Sequence, residues 1–301
     1  MSQQIDILSS HQIDPKKWNS CIESSENGLI YSRYEYLQSI CDNWHGVIVD
    51  DHAAVMALPW KKKFGIRYTY EPAFVQQLGL IGSNVELDLK KIVLSFVKYG
   101  DALLNFQNTI SGNTGTERRT NLVLDLSQDY SSIVSKYKKD LSLNLRRAGK
   151  HNLSVIKDLA ITEAIEKYQE HYHTRFTNIT GEDYQKFKTL AQELGENERC
   201  FTRKICNEDG ELLAIGLFLK DDRRIYNLMN TTTTAGRITE ANHYLIDSVI
   251  QEFAGKNILF DFEGSDLPGV RSFYEKFGAL DQPYLHWHFN ELPFPLRLLK
   301  R

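Results

Sequence analysis

The segment ILFDFEGSDLPGVRSFYEKFGA, residues 258–279, carries three groups able to move protons: Asp261, Glu263 and Tyr274. Residues two apart on a strand share a face, so both carboxylates can point to one side at the strand's carboxyl end. There, one can accept a proton or orient an ammonium group. A phenol with an unperturbed pKa of about 10 can protonate a leaving thiolate or ribose hydroxyl where water is excluded. Structural roles stand beside these. Asp261 can cap the following turn through backbone amides, and Tyr274 can be a half-buried packing residue with a satisfied hydroxyl. Gly264 and Gly269 suit a tight turn, and Ser265 is placed to cap the next helix.

A second group of residues could hold anions. Lys136, Lys139, Arg146 and Lys150 are spaced to share one face of a helix, with Arg147 beside them. Such a face can bind phosphate or carboxylate groups. It can also be a solvated face. Lys61, Lys62 and Lys63 flank the aromatic-rich FGIRYTYEPAF, a setting compatible with anion binding or with an exposed turn. Two H-x-H pairs give no metal reading. His171 and His173 lie on a helix and diverge, whereas His286 and His288 share a strand face without a cysteine or carboxylate close in sequence. No G-x-S-x-G elbow supports serine hydrolysis.

The elements that must position these groups alternate between helix and strand. At 301 residues the chain is long enough for two domains with their own cores. A net charge of −3 marks no global attraction to nucleic acid or membrane. Four cysteines without a C-x-x-C pair read as buried thiols. The N-terminus lacks the pattern of a signal peptide, and no apolar run is long enough to cross a bilayer, so a cytoplasmic location is expected. The C-terminal ELPFPLRLLKR reads as a strap packed on its domain.

In the first half, helices are expected over DPKKWNSCIESSEN, SRYEYLQSIC and VELDLKKIVLSFVKY, the last with Val85, Leu89, Ile92, Val93 and Phe96 at helical spacing. HGVIVD, AAVMALPW, IRYTYEPAF, DALLNFQ and TNLVLDL read as strands. The polar TISGNTGTERRT marks a seam between residues 1–118 and 119–301. Beyond it, DYSSIVSKYKKDLSLNLRRAGKHN predicts one amphipathic helix with Val134, Tyr137, Leu141, Leu145 and Ala148 in its apolar stripe. Two helices, a hairpin turning at Asp209-Gly210, a third strand and the helix ITEANHYLIDSVIQEFA lead to the 258–279 segment. YLHWHFN is expected to close the second half's sheet.

The order of elements in residues 200–289, with GELLAIGLFL and FYEKFGA, resembles the core of the GNAT acyltransferase fold. LPWKKKFGIRYTYEPAFVQQLGL, LNLRRAGKHNLSV and ILFDFEGS resemble its FemAB-like branch. The resemblance implies an α/β fold of two tandem GNAT-like domains, mixed sheets with helices packed on both faces, and a working cleft in the second. It also implies N-acyl transfer from acyl-CoA to a primary amine of a small molecule, sugar or peptide. Aminoacyl-tRNA acting on a peptidoglycan precursor, or a non-catalytic ligand-binding fold, are the alternatives. By position, Tyr274 matches the family's acid, and backbone amides near Leu228, Met229 and Asn230 match donors to an oxyanion beside splayed strands. The family's Q/R-x-x-G-x-G/A phosphate loop is replaced by NTTTTAGRITEANHY. There Thr233, Thr234, Gly236 and Arg237 are the candidates for holding the donor, with Lys139, Arg146 and Arg147 for the acceptor.

Overall fold

The computed structural model describes residues 3–82, 87–112, 115–175, 178–264 and 266–298. In chain order, the first elements are β1 (Ile5–Ser9), α1 (Pro15–Ser24), α2 (Tyr34–Ile40), β2 (Trp44–Val49) and β3 (Ala54–Lys63). They are followed by β4 (Ile66–Thr69), β5 (Gly79–Gly82), α3 (Leu89–Phe96), β6 (Tyr99–Leu104) and β7 (Thr116–Arg119). Next come β8 (Leu122–Asp125), α4 (Tyr130–Val134), α5 (Lys139–Ala148), β9 (Ser154–Ile156), α6 (Ile161–Tyr172), α7 (Gly181–Glu196) and β10 (Cys200–Cys206). The chain closes with β11 (Leu212–Lys220), β12 (Arg224–Thr232), α8 (Thr234–Ile238), α9 (Ala241–Phe253), β13 (Leu259–Asp261), α10 (Pro268–Glu275), β14 (Leu280–Asp281) and β15 (Tyr284–Asn290).

The chain divides into two compact units, residues 1–119 with 283–301, and residues 120–282. The first unit holds the sheet path β1-β2-β3-β4-β6-β15-β7, with β5 also pairing with β3. YLHWHFN therefore does not close the second sheet as its position in the sequence suggests. It enters the first, antiparallel to both β6 and β7. The cause is its alternation: Trp287 and Phe289 are buried in the first unit's core with Val47, Leu58, Val93 and Leu104. Asp14 caps α1 by accepting from the Lys16 and Lys17 amides, with Pro15 at the first helical position. Asp88 caps α3 in the same way. Val85 lies outside the described residues.

The second unit holds the order β14-β8-β13-β12-β11-β10-β9. β11 reads LLAIGLFLK and is buried from Leu213 through Leu219. Successive strand residues face opposite ways, so such a run requires helices on both faces. α6 and α9 pack on β10, β11 and β12. α9 buries Leu245, Ile246, Val249 and Ile250 completely. The amphipathic segment expected as one helix is two, α4 and α5. The break has local and tertiary causes: the Ser135 hydroxyl donates back to the Ser132 carbonyl, and the Lys138 amide donates to the Lys276 carbonyl at 2.8 Å. Lys136 consequently stands between the helices, bonded to Gln128 at 2.8 Å, and leaves the face it was expected to share with Lys139 and Arg146. The four cysteines are unbridged.

Candidate functional site

β12 and β13 form the parallel pair of the second sheet, registered from Arg224↔Leu259 to Tyr226↔Asp261. There β13 ends, while β12 continues to Thr232 against β11. Beyond Tyr226 the main chain of β12 thus runs without β13 on that side, across Leu228, Met229 and Asn230. An irregularity in the β11–β12 register between Leu217 and Leu219 falls on the same stretch, and such bulges re-aim a strand's side chains.

Several polar side-chain atoms of β12, α9 and the segment after β13 have no partner. Both amide atoms of Asn230, Asn227 Oδ1, Thr231 Oγ1, Asn242 Oδ1 and Glu263 Oε1 are buried without a hydrogen bond. Buried polar atoms are ordinarily paired, because each orphan costs roughly 1–3 kcal/mol. Asn230 and Thr231 are successive strand residues and face opposite sides, so these atoms are not one set; those of Asn230 and Glu263 are candidates to meet a ligand's own donors and acceptors.

Glu263 and Tyr274 interact electrostatically, and Asn227 of β12 bonds to Tyr274. The strand stops at Asp261 because Glu263 turns into the left-handed region at φ 62° and Gly264 follows at φ 46°. A side chain on Gly264 would begin 2.0 Å from the Thr120 carbonyl oxygen, so that position requires glycine. The two carboxylates therefore do not share a strand face, as simple alternation predicts. Burial, with no cation to offset it, lifts Glu263 to about 8. Tyr274 accepts a long hydrogen bond from Asn227 Nδ2, 3.5 Å away, and packs on Phe262 with ring centres 4.8 Å apart. Burial first, then the nearby Tyr172 hydroxyl and the Glu263 charge, hold its phenol above the usual range. Tyr274 stays protonated and can donate. Tyr168, likewise raised chiefly by burial, adjoins Tyr172 on α6.

Asp261 does something else. It is 1% exposed, ion-paired with the Arg224 guanidinium, and accepts from Asn121 at 3.2 Å and from the Glu263 amide at 2.9 Å. Its oxygens are spent holding β12, β13 and the Glu263 turn together. Ser265 lies outside the described residues. α10 instead begins with Pro268 in its first turn.

A cavity of about 330 Å³ opens near the end of β12, lined by Tyr172, Thr232, Arg237, Asn242, His243 and Phe273 among others. Thr233 caps α8, its hydroxyl accepting the Gly236 amide at 3.0 Å and donating to the Leu213 carbonyl at 3.2 Å. Thr234 begins that five-residue helix. A side chain on Gly236 would meet the Leu213 carbonyl oxygen at 2.0 Å. Gly236→Ala is accordingly expected to lower the melting temperature measurably, by pushing α8 off β11; an unchanged melting curve would show that this contact yields. Glu240 opens α9 at φ 58°, with its carboxylate 2.9 Å from His243 Nδ1 and 3.7 Å from Arg147. Burial lowers the His243 pKa, although Glu240 opposes it.

Arg146 bonds back to the Ser142 carbonyl on its own helix, and Lys139 opens α5. Asn144 of α5 reaches His243 Nε2 at 3.2 Å, a connection that the charge pattern of the helix did not signal. Sequence inspection also missed the surroundings of His286 and His288. Strand pairing sets Asp101 3.2 Å from the first and 2.8 Å from the second, and Glu71 lies 3.0 Å from His286.

Two units of mixed sheet, the second opening along one side of a parallel strand pair, make up a mixed α/β fold that this chain shares with solved structures of low sequence identity. The chain is similar to the crystal structure of FemX, with a TM-score of 0.68 at 11% identity, covering 99% of both chains. It is also similar to a conserved protein of unknown function from Bacteroides thetaiotaomicron (TM-score 0.59, 10% identity, 92% of this chain and 98% of that one). L-PGS from Bacillus licheniformis gives a TM-score of 0.55 at 12% identity, covering 95% of each chain. No family model and no curated protein matches the sequence. Among the described residues, no helix is long and apolar enough to cross a membrane.

Proposed function

We propose that this chain is an N-acyltransferase whose second unit moves an acyl group onto a primary amine beside β12. The observation that carries this reading is the unpartnered carboxyl oxygen of Glu263, next to the neutral Tyr274 phenol at the end of a parted strand pair. In the reaction, the amine nitrogen attacks the acyl carbonyl carbon and passes its proton to the Glu263 carboxylate. The carbonyl oxygen gains negative charge, which main-chain N–H groups of β12 beyond Tyr226 can meet. When the bond to the leaving oxygen or sulfur breaks, Tyr274 supplies the proton that atom needs. Asn227, on the phenol oxygen, steadies Tyr274 for that step.

Two donor classes fit an acyl transfer of this kind, acyl-CoA and aminoacyl-tRNA. A CoA diphosphate needs open main-chain amides at a helix start. Here the Gly236 amide is taken by Thr233, and Glu240 places a carboxylate just ahead of α9. These residues do not fit a diphosphate at that place, and the fit favours an aminoacyl ester carried on tRNA, with a peptide amine as acceptor. The similarity to FemX over the full length of both chains is consistent with that choice.

The test combines donor and residue. Acetyl-CoA and aminoacyl-tRNA are each supplied with a peptide amine, and transfer is followed by mass. Tyr274→Phe is expected to lower turnover about 100-fold, the lower end for a positioned general acid, with an unchanged melting temperature. Unchanged turnover would remove the phenol from the mechanism. Transfer from acetyl-CoA alone would reverse the donor choice, and transfer from neither donor would end the enzymatic reading.

A further inference from the structure

The hairpin of β3 and β4 combines strain, exposure and charge at one point of the first unit. Its register runs Trp60↔Thr69, Lys61↔Tyr68, Lys62↔Arg67 and Lys63↔Ile66, leaving Phe64 and Gly65 as the two-residue loop. Both loop residues have positive φ, 51° and 80°. That geometry favours Asn-Gly, and an aromatic in the first place works against the turn. Phe64 is not buried in return, and Lys63 Nζ lies over its ring at 5.8 Å. Its side chain is 89% exposed, the largest exposure among the large apolar residues. A side chain on Gly65 would meet nothing within 4 Å.

The hairpin WKKKFGIRYTY holds four cations and no acid of its own, and Lys61, farthest of the lysines from the apex, is paired with Asp42 at 3.0 Å. Pleating sends Lys61 and Lys63 to one face, Lys62 and Arg67 to the other, so both sides of the tip are basic. Lys62, Lys63 and Arg67 are exposed. Further back the stems are stiffened: Arg67 stacks on Trp60 at 4.4 Å and on Phe96 at 4.6 Å, and Lys61 lies over Tyr70 at 4.4 Å. A rigid stem, a basic collar and a lone apolar tip suit a surface that is anionic outside and apolar just beneath.

We infer that this hairpin docks the protein on an anionic lipid bilayer, with Phe64 entering the acyl boundary and the Lys62 and Lys63 cations resting among the headgroups. Lys and Arg near such a surface each strengthen binding several-fold, and the aromatic adds what charge alone does not. The placement of Phe64 at the apex favours lipid over RNA. An aromatic that stacks on a base sits on an open face between cations, whereas one that penetrates leads them. This inference rests on the hairpin alone and is independent of the proposed transfer reaction.

The full chain is sedimented with vesicles of phosphatidylcholine, with and without phosphatidylglycerol, and in parallel titrated with a generic RNA. Binding to the anionic vesicles only is expected, weakening with salt. Lys62→Ala/Lys63→Ala should reduce it roughly 30-fold. Phe64→Asn should reduce it roughly tenfold while holding or raising the melting temperature, because asparagine suits the turn. Folding and docking are thereby read separately. Absence of vesicle binding, equal binding by both variants, or a loss confined to RNA would each overturn the inference.

Discussion

Glu263→Gln should abolish most of the transfer activity, lowering turnover about 10²- to 10⁴-fold, the range in which a positioned general base acts. Glutamine keeps the shape of the side chain and cannot take the amine's proton. The pH dependence separates this from a structural effect. In the wild type the base works only when deprotonated, so the rate should rise with pH and level off above about 8, where Glu263 ionises in the fold. The residual rate of the variant should lack that rise. Stability should move the opposite way. The carboxyl is raised from 4.5 to about 8 on folding, so the folded chain binds the proton more tightly than the unfolded chain. Its contribution is full below about 4.5 and is lost as pH climbs toward 8, a change on the order of 5 kcal/mol at about 1.4 kcal/mol per pKa unit. Glu263→Gln should be the more heat-resistant protein at pH 9 and little different at pH 5. If both proteins melt together at pH 9, the carboxyl is not held in a dry site and the proposed base is lost with it.

The second large effect is expected at a residue the chemistry does not use directly. Arg224 is 4% exposed and its guanidinium pairs with Asp261, while also donating to Gln282 at 3.0 Å. Arg224→Met leaves a buried carboxylate without its cation, which typically costs about 3–5 kcal/mol. Adding Asp261→Leu should recover much of the loss, because the stranded charge is gone. Chemical denaturation of the single and double variants measures both terms. Should the single variant unfold at the wild-type midpoint, the pair would not be the clamp between β12 and β13 that its geometry describes. Activity offers a complementary reading, since the Asp261 carboxylate also accepts the Glu263 amide.

Much of the architecture could be read from the sequence because its signals are local. The α9 stripe of Leu245, Ile246, Val249 and Ile250, the Asp14-Pro15 helix start and the Asp209-Gly210 hairpin each depend on neighbours a few residues away. The resemblance of residues 200–289 to a known fold agrees with the order β10, β11, β12 and β13, whereas its last strand, YLHWHFN, pairs in the first sheet. What could not be read depends on distant partners. The break between α4 and α5 involves an amide bond from Lys138 to Lys276. The role of Asp261 requires Arg224 and Asn121, which sequence spacing does not join to it. Glu263 was marked by the acidic end of its strand, whereas the left-handed turn that parts it from Asp261 is set by Gly264 against Thr120. The orphaned amide of Asn230 had no signal in the sequence, because a lack of partners is visible only once every neighbour has been placed.

The return of β15 to the first sheet has a consequence for how the chain is made. Its strand lies between β6 and β7, yet all of residues 120–282 are synthesised before it. While the nascent chain emerges, β6 and β7 must wait with Trp287 and Phe289 still missing from their core. The second unit has its whole sequence outside the ribosome earlier and can finish first. Translation therefore imposes an order in which the leading unit is the last to be sealed, and its open strand edges are what a chaperone would have to guard until then.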